Sequence, residues 1–213
     1  MNTRQSLLAQ AFLLVATGLY SRSLAGTLAS VVPTHWGIDG KPDAYGSPAF
    51  ALWFGPIAVA FMMVLTWALP RLSPKQFEVD RSEKTYGMLM FMIALLMAVL
   101  HVVILKATAG AKFPMDRAMM VVLGLFCTFF GNQMGRVRRN FYMGVRTPWT
   151  LASERVWDLT HRHAASLWFF GGLVVAALAL IGIPFGITFT LFMLIMLWPV
   201  FDSYLLYRRY EGK

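Results

Sequence analysis

The chain has 213 residues, of which 58% are hydrophobic and only 14% are charged, and its formal net charge is +9. Soluble domains carry about 25% charged residues, and a folded chain of this size cannot hide so much apolar surface from water. The composition therefore excludes a soluble globular protein and indicates a chain that crosses a membrane several times.

The basic charge has two interpretations, a nucleic-acid surface or the basic flanks of membrane spans. The second is favoured in so apolar a chain, because anionic lipids attract lysine and arginine to the cytoplasmic ends of spans. We therefore expect no direct contact with nucleic acid. The single cysteine, Cys127, lies in an apolar run and predicts a packing residue without a redox, metal or cofactor role.

Six apolar runs approach or exceed the roughly 18 to 20 residues that cross a bilayer as a helix. We predict spans at about residues 7–24, 49–69, 86–105, 118–131, 164–181 and 185–206. Lipid offers the backbone no hydrogen-bond partners, so the predicted fold class is all-α, a polytopic transmembrane helical bundle. The first span resembles a signal peptide, but we expect it to be retained.

The positions of lysine and arginine set the orientation. With the N-terminus inside, fourteen basic residues fall in the inner segments and five in the outer segments, as the positive-inside rule requires. We therefore predict that both termini are cytoplasmic. The inner set is Arg4, Arg71, Lys75, Arg81, Lys84, Arg136, Arg138, Arg139, Arg146, Arg155, Arg162, Arg208, Arg209 and Lys213, and the outer set is Arg22, Lys41, Lys106, Lys112 and Arg117.

The first outer loop, residues 26–48, is rich in proline and glycine. Its Asp-Gly pair, which ends at Gly40, predicts a turn because glycine tolerates positive φ. His35 and Trp36 suit the membrane surface, so we interpret the loop either as an ordered interfacial loop or as a recognition surface for an external molecule. A metal site shared by His35, Asp39 and Asp43 is a weak alternative, since no ligand spacing requires it.

This outer loop resembles the core of the DUF1648 domain, which carries Pro-x-His-Trp, then a glycine, then a Pro-Asp/Gly-x-Gly-Ser turn. The matching residues are Pro33, His35, Trp36, Gly40, Pro42, Gly46 and Ser47. The resemblance implies a DUF1648-like region over residues 1–70, which contains spans one and two.

The inner loop, residues 131–163, is far more polar than the spans around it. Thr147, followed by a proline, predicts a helix start, and Ser153 predicts the N-cap of a helix that runs into the fifth span. On that helix Trp157 precedes His161 by four residues, so we expect the two rings to pack beside each other. Asn132 and Asn140 lie close to glycines near the end of span four and suggest an interhelical hydrogen bond.

Charged residues of the inner loop have simpler interpretations. Three arginines are expected at the depth of the headgroup phosphates, where they would anchor the chain to lipid; they are Arg136, Arg138 and Arg139. Four residues share one side of the helix after Ser153 and predict a surface ion-pair lattice; they are Glu154, Asp158, His161 and Arg162. The turn at residues 146–149 has an aromatic anchor and predicts a shaped site.

The segment from Gly131 to Gly172 is similar to the signature of the SdpI family of bacterial integral membrane proteins. The family pattern joins Gly-Asn-x-Met/Leu-Gly to an Arg-Thr-Pro-Trp-Thr-Leu run, a tryptophan and Thr-His-Arg. The matching residues are Gly131, Asn132, Gly135, Arg139, Asn140, Gly144, Arg146, Thr147, Pro148, Trp149, Thr150, Leu151, Trp157, Thr160, His161 and Arg162.

This resemblance implies an SdpI-like region over residues 71–213 and a six-helix, multi-pass protein of the bacterial cytoplasmic (inner) membrane. It also implies immunity to, or sensing of, a secreted antimicrobial peptide, with membrane sequestration of a cytoplasmic transcriptional repressor. The alternatives are a small-molecule or ion transporter and an envelope protein of unassigned role.

The candidate functional motif joins residues of both loops. It comprises Pro33, His35, Trp36, Gly40, Asn132, Asn140, Arg146, Thr147, Pro148, Trp149, Trp157 and His161. We predict no enzyme, no catalytic residue and no cofactor, because His161 and His163 are two residues apart on a helix and point in different directions.

Polar residues at membrane depth invite a functional hypothesis. Gln10 belongs to this class by position. Arg22 and His101 lie near the outer ends of their spans and are expected to snorkel. Asp202 is expected to form a structural ion pair with a residue of another helix, because the arginines that follow it in the chain are not on its face.

Overall fold

The structure, a computed structural model, describes residues 1–73, 83–140 and 142–212. Lys75, Arg81 and Lys213 of the predicted inner set lie outside the described residues. The described chain forms α1 (Thr3–Leu24), β1 (Val32–Trp36), β2 (Pro42–Gly46), α2 (Pro48–Leu72), α3 (Glu83–Thr108), α4 (Met115–Met134), α5 (Pro148–Ala152), α6 (Glu154–Leu180) and α7 (Phe185–Tyr210). The predicted all-α class is confirmed, and the outer loop adds one antiparallel hairpin of two strands.

The six long helices form an up-and-down bundle with two groups. Helices α1, α2 and α3 pack together, α6 packs on both α4 and α7, and α3 contacts α4. We call one end of the bundle the hairpin end, because it holds β1 and β2. The opposite end holds residues 135–153 and is called the arginine end.

Five of the described helices are long and apolar enough to cross a membrane, namely α1, α2, α3, α6 and α7. Helix α4 does not meet that criterion, yet it packs antiparallel to α6. Gly124 lies against the backbone of Gly172, and Gly131 lies against the backbone of Phe169. Helix α4 therefore lies in the same layer as α6, and it covers the predicted fourth span, residues 118–131.

Helix α1 has its polar side inside and its apolar side outside. Its buried residues are Ser6, Gln10, Thr17 and Ser21. Its exposed large apolar residues are Leu8, Phe12, Val15 and Leu19. Water would favour the reverse arrangement, whereas lipid favours apolar side chains outside and hydrogen-bonded polar groups between helices. Gln10, for example, donates to Ser6 Oγ and Thr66 Oγ1 at 2.9 Å each.

The prediction that His101 snorkels is wrong. Its ring is buried between α1, α2 and α3, and its Nε2 lies 2.9 Å from Ser21 Oγ. The backbone N–H of Gly55 donates to His101 Nδ1 at 3.2 Å. A glycine is needed at this position, because a Cβ on Gly55 would lie 2.2 Å from the ring. Arg22 is exposed near the end of α1, as expected.

Three prolines lie inside long helices and each removes a backbone donor. A proline has no N–H, so the carbonyl four residues earlier loses its helical partner. Lipid cannot replace that partner, and each freed carbonyl is instead capped by a side chain of a neighbouring helix. Ser21 Oγ donates to Leu52 O, the carbonyl freed by Pro56, at 2.7 Å. Tyr86 Oη donates to Thr66 O, the carbonyl freed by Pro70, at 2.9 Å. Trp168 Nε1 donates to Ile195 O, the carbonyl freed by Pro199, at 3.0 Å.

We expect the substitution Tyr86→Phe to cost about 1 to 2 kcal/mol of unfolding free energy, because it leaves a buried carbonyl without a donor. In a Pro70→Ala background the same substitution should cost less, since residue 70 then offers its own N–H to the Thr66 carbonyl. Unfolding of the purified protein in detergent micelles measures both costs. Tyr20→Phe is the control, and equal costs of Tyr86→Phe in both backgrounds would refute this account of the carbonyl.

Candidate functional site

The turn predicted at Gly40 is present at the tip of the hairpin, and Gly40 has a φ of +73°. His35 is exposed, and its Nδ1 lies 2.5 Å from Asp43 Oδ1 across the hairpin. Asp39 accepts the backbone N–H of Lys41 at 3.0 Å instead of joining that pair. His35 and Asp43 are thus satisfied by each other, and no group of three metal-binding side chains occurs among the described residues.

The hairpin connects α1 to α2, but its tip lies on the other group of helices. A Cβ built on Gly40 would lie 3.0 Å from Asp116 Cγ at the start of α4. A Cβ on Gly186, at the start of α7, would lie 3.7 Å from Ile38 Cδ1. The tip therefore links the α1–α2–α3 group to α4 and α7.

At the arginine end, Asn140 holds its own loop together. Its side chain is buried, and its Oδ1 accepts the backbone N–H groups of Tyr142 and Met143 at 2.8 and 2.7 Å. Its Nδ2 donates to Arg138 O at 2.8 Å. The predicted interhelical hydrogen bond is therefore wrong for Asn140, because the amide closes a local turn between α4 and α5.

The other amide, Asn132, is exposed and makes no hydrogen bond to another helix within the described residues. The close helix contact predicted beside it comes from Gly131, where a Cβ would lie 2.6 Å from Phe169 N. Asn132 instead lines an apolar groove between α3 and α4 together with Phe129. The expected interhelical bond is thus replaced by backbone packing, which requires no polar side chain.

Trp157 and His161 form the centre of the arginine end. Their rings stack at 4.2 Å between centroids and 19° between planes, which confirms the predicted contact. Trp157 Nε1 donates to Val137 O at 2.7 Å, and the N–H of Val145 donates to His161 Nε2 at 3.0 Å. His161 Nδ1 must then carry the proton that it donates to Trp157 O at 2.8 Å. Both ring nitrogens are occupied, so this arrangement leaves neither available for acid–base chemistry.

Gly144 is a residue of this site that the candidate motif left out. Its φ is +97°, and a Cβ would lie 2.1 Å from His161 Nε2. Only a glycine allows the backbone to turn so close to the ring. Its place in the family pattern was the signal that could have identified it.

Helix α5 docks the predicted turn onto α7. Thr147 is the N-cap of α5 and forms a capping box with Thr150, which confirms the predicted helix start. Thr147 Oγ1 also lies 3.0 Å from Ser203 Oγ of α7, and Trp149 packs on Tyr204 with 5.0 Å between ring centroids. The loop is therefore tied to α6 through His161 and to α7 through these two contacts.

Arg146 and Pro148 point outward from the same turn and are exposed. Together with the docked residues they complete the arginine-end part of the candidate motif. Residues of the hairpin part, such as His35 and Trp36, lie at the opposite end of the bundle. The structure thus divides the twelve predicted residues between the two ends of the bundle, and several at the arginine end are buried.

The predicted ion-pair lattice at the start of α6 is wrong. The ion pairs among the described residues are His35–Asp43, Lys41–Asp39 and His163–Asp202, and none joins two residues of α6. Arg155 instead stacks over the ring of Tyr210, 4.1 Å from its centroid.

Asp202 meets a side chain of another helix, as expected. Its Oδ2 lies 2.8 Å from His163 Nδ1, so the carboxylate of α7 pairs with a side chain of another helix, here α6. His163 and His161 point in different directions, as predicted, since one binds α7 and the other binds the loop.

Comparison with known proteins gives two family matches. Residues 136–203 match the SdpI/YfhL protein family, and residues 12–60 match a domain of unknown function, DUF1648. The chain is 26% identical over 148 residues to the immunity protein SdpI of Bacillus subtilis (strain 168), which covers 70% of this chain and 69% of that protein. No solved structure matches the chain. The two matched ranges leave the predicted boundary between residues 70 and 71 as a prediction.

Proposed function

We propose, from the match of residues 136–203 to the SdpI/YfhL family and the similarity to an immunity protein, that this chain protects a bacterial cell against a secreted antimicrobial peptide. The family match and the relative support a membrane immunity-type role. The observation that carries the proposal is the similarity to an immunity protein over 70% of the chain. In this proposal the protein lies in the cytoplasmic membrane, with its arginine end inside.

The hairpin end is the proposed recognition surface. Its exposed side chains include three large apolar residues, Val31, Ile38 and Tyr45. Half-buried Trp36 ends β1 beside exposed His35. Aromatic and apolar groups at the water–lipid boundary offer a surface on which a hydrophobic peptide can lose water contact.

The arginine end is the proposed output surface. The hairpin tip rests on α4 and α7, and α7 carries Ser203, which meets Thr147 of the output turn. A peptide that binds one position of the hairpin better than another would shift the packing of these helices. The exposed turn around Arg146 would then change position and bind a cytoplasmic transcriptional repressor. The bound repressor would be sequestered at the membrane.

We expect Trp36→Ala and Arg146→Ala to lower the survival of a peptide-sensitive bacterium that expresses the protein under peptide challenge. Trp36→Ala removes apolar contact area from the recognition surface, and Arg146→Ala removes a charge from the output turn. The matched controls are Trp198→Ala, which changes an exposed tryptophan of α7, and Arg208→Ala, which changes an arginine at the end of α7.

Survival is scored at equal protein abundance, measured by immunoblot of the membrane fraction. The proposal predicts that both controls protect like the parent. If Trp36→Ala and Arg146→Ala also protect like the parent, the two-surface mechanism is wrong. If the parent itself gives no protection, the immunity role is wrong.

A further inference from the structure

A polar cavity of about 540 Å³ lies at the arginine end, between the end of α4 and the first turns of α6. Its lining residues are Gly135, Arg136, Val137, Arg138, Arg139, Glu154, Asp158, His161 and Arg162. The candidate functional motif shares only His161 with this cavity. The cavity therefore lies beside the stack of Trp157 on His161 and is lined by the first residues of the loop between α4 and α5.

The cavity carries an excess of positive charge. Four arginines and two carboxylates line it, and none of the four lies within 4.0 Å of a carboxylate oxygen in the described part of the chain. Arg139 donates one N–H to Leu151 O at 3.2 Å, which uses a fraction of its five donors. Like charges held together raise the free energy of the empty site, and a bound anion would offset that repulsion.

The positively charged groups of the cavity are all arginines, and this residue type selects the chemistry of the anion. A guanidinium group offers two parallel N–H donors that match two oxygens of a phosphate. Arginines from two elements face the cavity, since Arg138 follows α4 and Arg162 belongs to α6. A phosphate between them would be held from two sides, which a flat basic surface does not provide.

The depth of the cavity favours a lipid as the source of the phosphate. Arg162 lies two residues before the apolar run that begins at residue 164 and crosses the membrane in α6. Its guanidinium group is therefore at the level where headgroup phosphates lie.

We propose that this cavity is a binding site for a phosphate group, supplied by the headgroup of an anionic phospholipid. Arg138 and Arg162 hold the phosphate oxygens from opposite walls. Glu154 and Asp158 leave a net charge of +2 in the cavity, which a single anionic headgroup partly neutralises. The site does not depend on peptide immunity.

The test measures binding to the full chain in neutral detergent micelles. Phosphatidylglycerol is added, and its affinity is read from the rise in midpoint temperature of unfolding. Phosphatidylcholine at equal concentration is the neutral comparison, and inorganic phosphate at equal ionic strength is the soluble one. We expect phosphatidylglycerol to stabilise the protein and phosphatidylcholine to have little effect.

The variant Arg138→Gln/Arg162→Gln should weaken phosphatidylglycerol binding by about tenfold or more, because it removes two charge-assisted contacts. Arg4→Gln/Arg208→Gln makes the same change of charge elsewhere at the arginine end and should bind like the parent. Arg138→Lys/Arg162→Lys keeps the charge and loses the paired donors, so intermediate binding is expected. This lysine variant also serves as the test if the glutamine variant does not fold.

Each outcome decides the proposal. Stabilisation by phosphatidylglycerol alone, lost in the cavity variants, supports the lipid site. Stabilisation by inorganic phosphate as well supports the phosphate chemistry and assigns a soluble source. Equal losses in the cavity and control variants, equal stabilisation by phosphatidylcholine, or no stabilisation at all would overturn it.

Discussion

Gly172→Ala is expected to destabilise the protein by about 2 to 3 kcal/mol, because it overpacks the contact between α4 and α6. A Cβ at this position would lie 2.4 Å from Gly124 O and 2.6 Å from Thr128 N. These are backbone atoms, so the two helices must separate before the methyl group fits. Unfolding in detergent micelles, followed by tryptophan fluorescence, measures the loss.

Gly18→Ala is the matched control for this prediction. Gly18 also lies within a long helix, α1, but a Cβ there would meet no atom within 4 Å. Alanine forms helices better than glycine, so this variant should be as stable as the parent or slightly more stable. Similar losses in both variants would show that close approach of α4 and α6 is not the cause.

Gly144→Ala is expected to cost more than about 2 kcal/mol and to disrupt the stack of Trp157 on His161. The new Cβ would lie 2.1 Å from His161 Nε2, where the Val145 N–H now donates. The φ of +97° adds backbone strain for any residue with a Cβ. Unfolding free energy and near-ultraviolet circular dichroism of the tryptophans report the two effects.

Two comparisons separate strain from contact at Gly144. Gly110 has φ +87° and open space around it, so Gly110→Ala should show strain alone, about 1 to 2 kcal/mol. In a His161→Ala background, Gly144→Ala should also cost no more than strain, because the ring is gone. An unchanged cost in that background would contradict the proposed clash.

Much of the fold could be predicted from local sequence. Six apolar runs, the turn at Gly40 and the helix starts at Thr147 and Ser153 each depend on residues that are close in the chain. The stack of Trp157 on His161 was also predictable, since a spacing of four places both rings on one side of a helix. These features follow from helix geometry and capping and need no knowledge of the other helices.

Predictions about polar partners failed more often. His101 was assigned a role from its depth in a span, and Asn132 and Asn140 from the glycines near them, but neither feature says which helix faces a side chain. His101 lies near a span end in the chain, yet Gly55 leaves room for its ring inside the bundle. In the predicted ion-pair lattice on α6, His161 instead meets the backbone groups of Val145 and Trp157, which the spacing along the helix does not reveal.

The sequence by itself determined that this chain is a helical membrane protein, because hydropathy and the cost of bare backbone in lipid depend on runs of neighbouring residues. The tertiary structure alone decided which donor meets which acceptor. His101 and Gly55 are hydrogen-bonded although they lie 46 residues apart in the chain, and Trp168 and Ile195 are hydrogen-bonded although they lie 27 residues apart. Such pairs form only when packed helices exclude lipid from between them, and no local pattern encodes that contact.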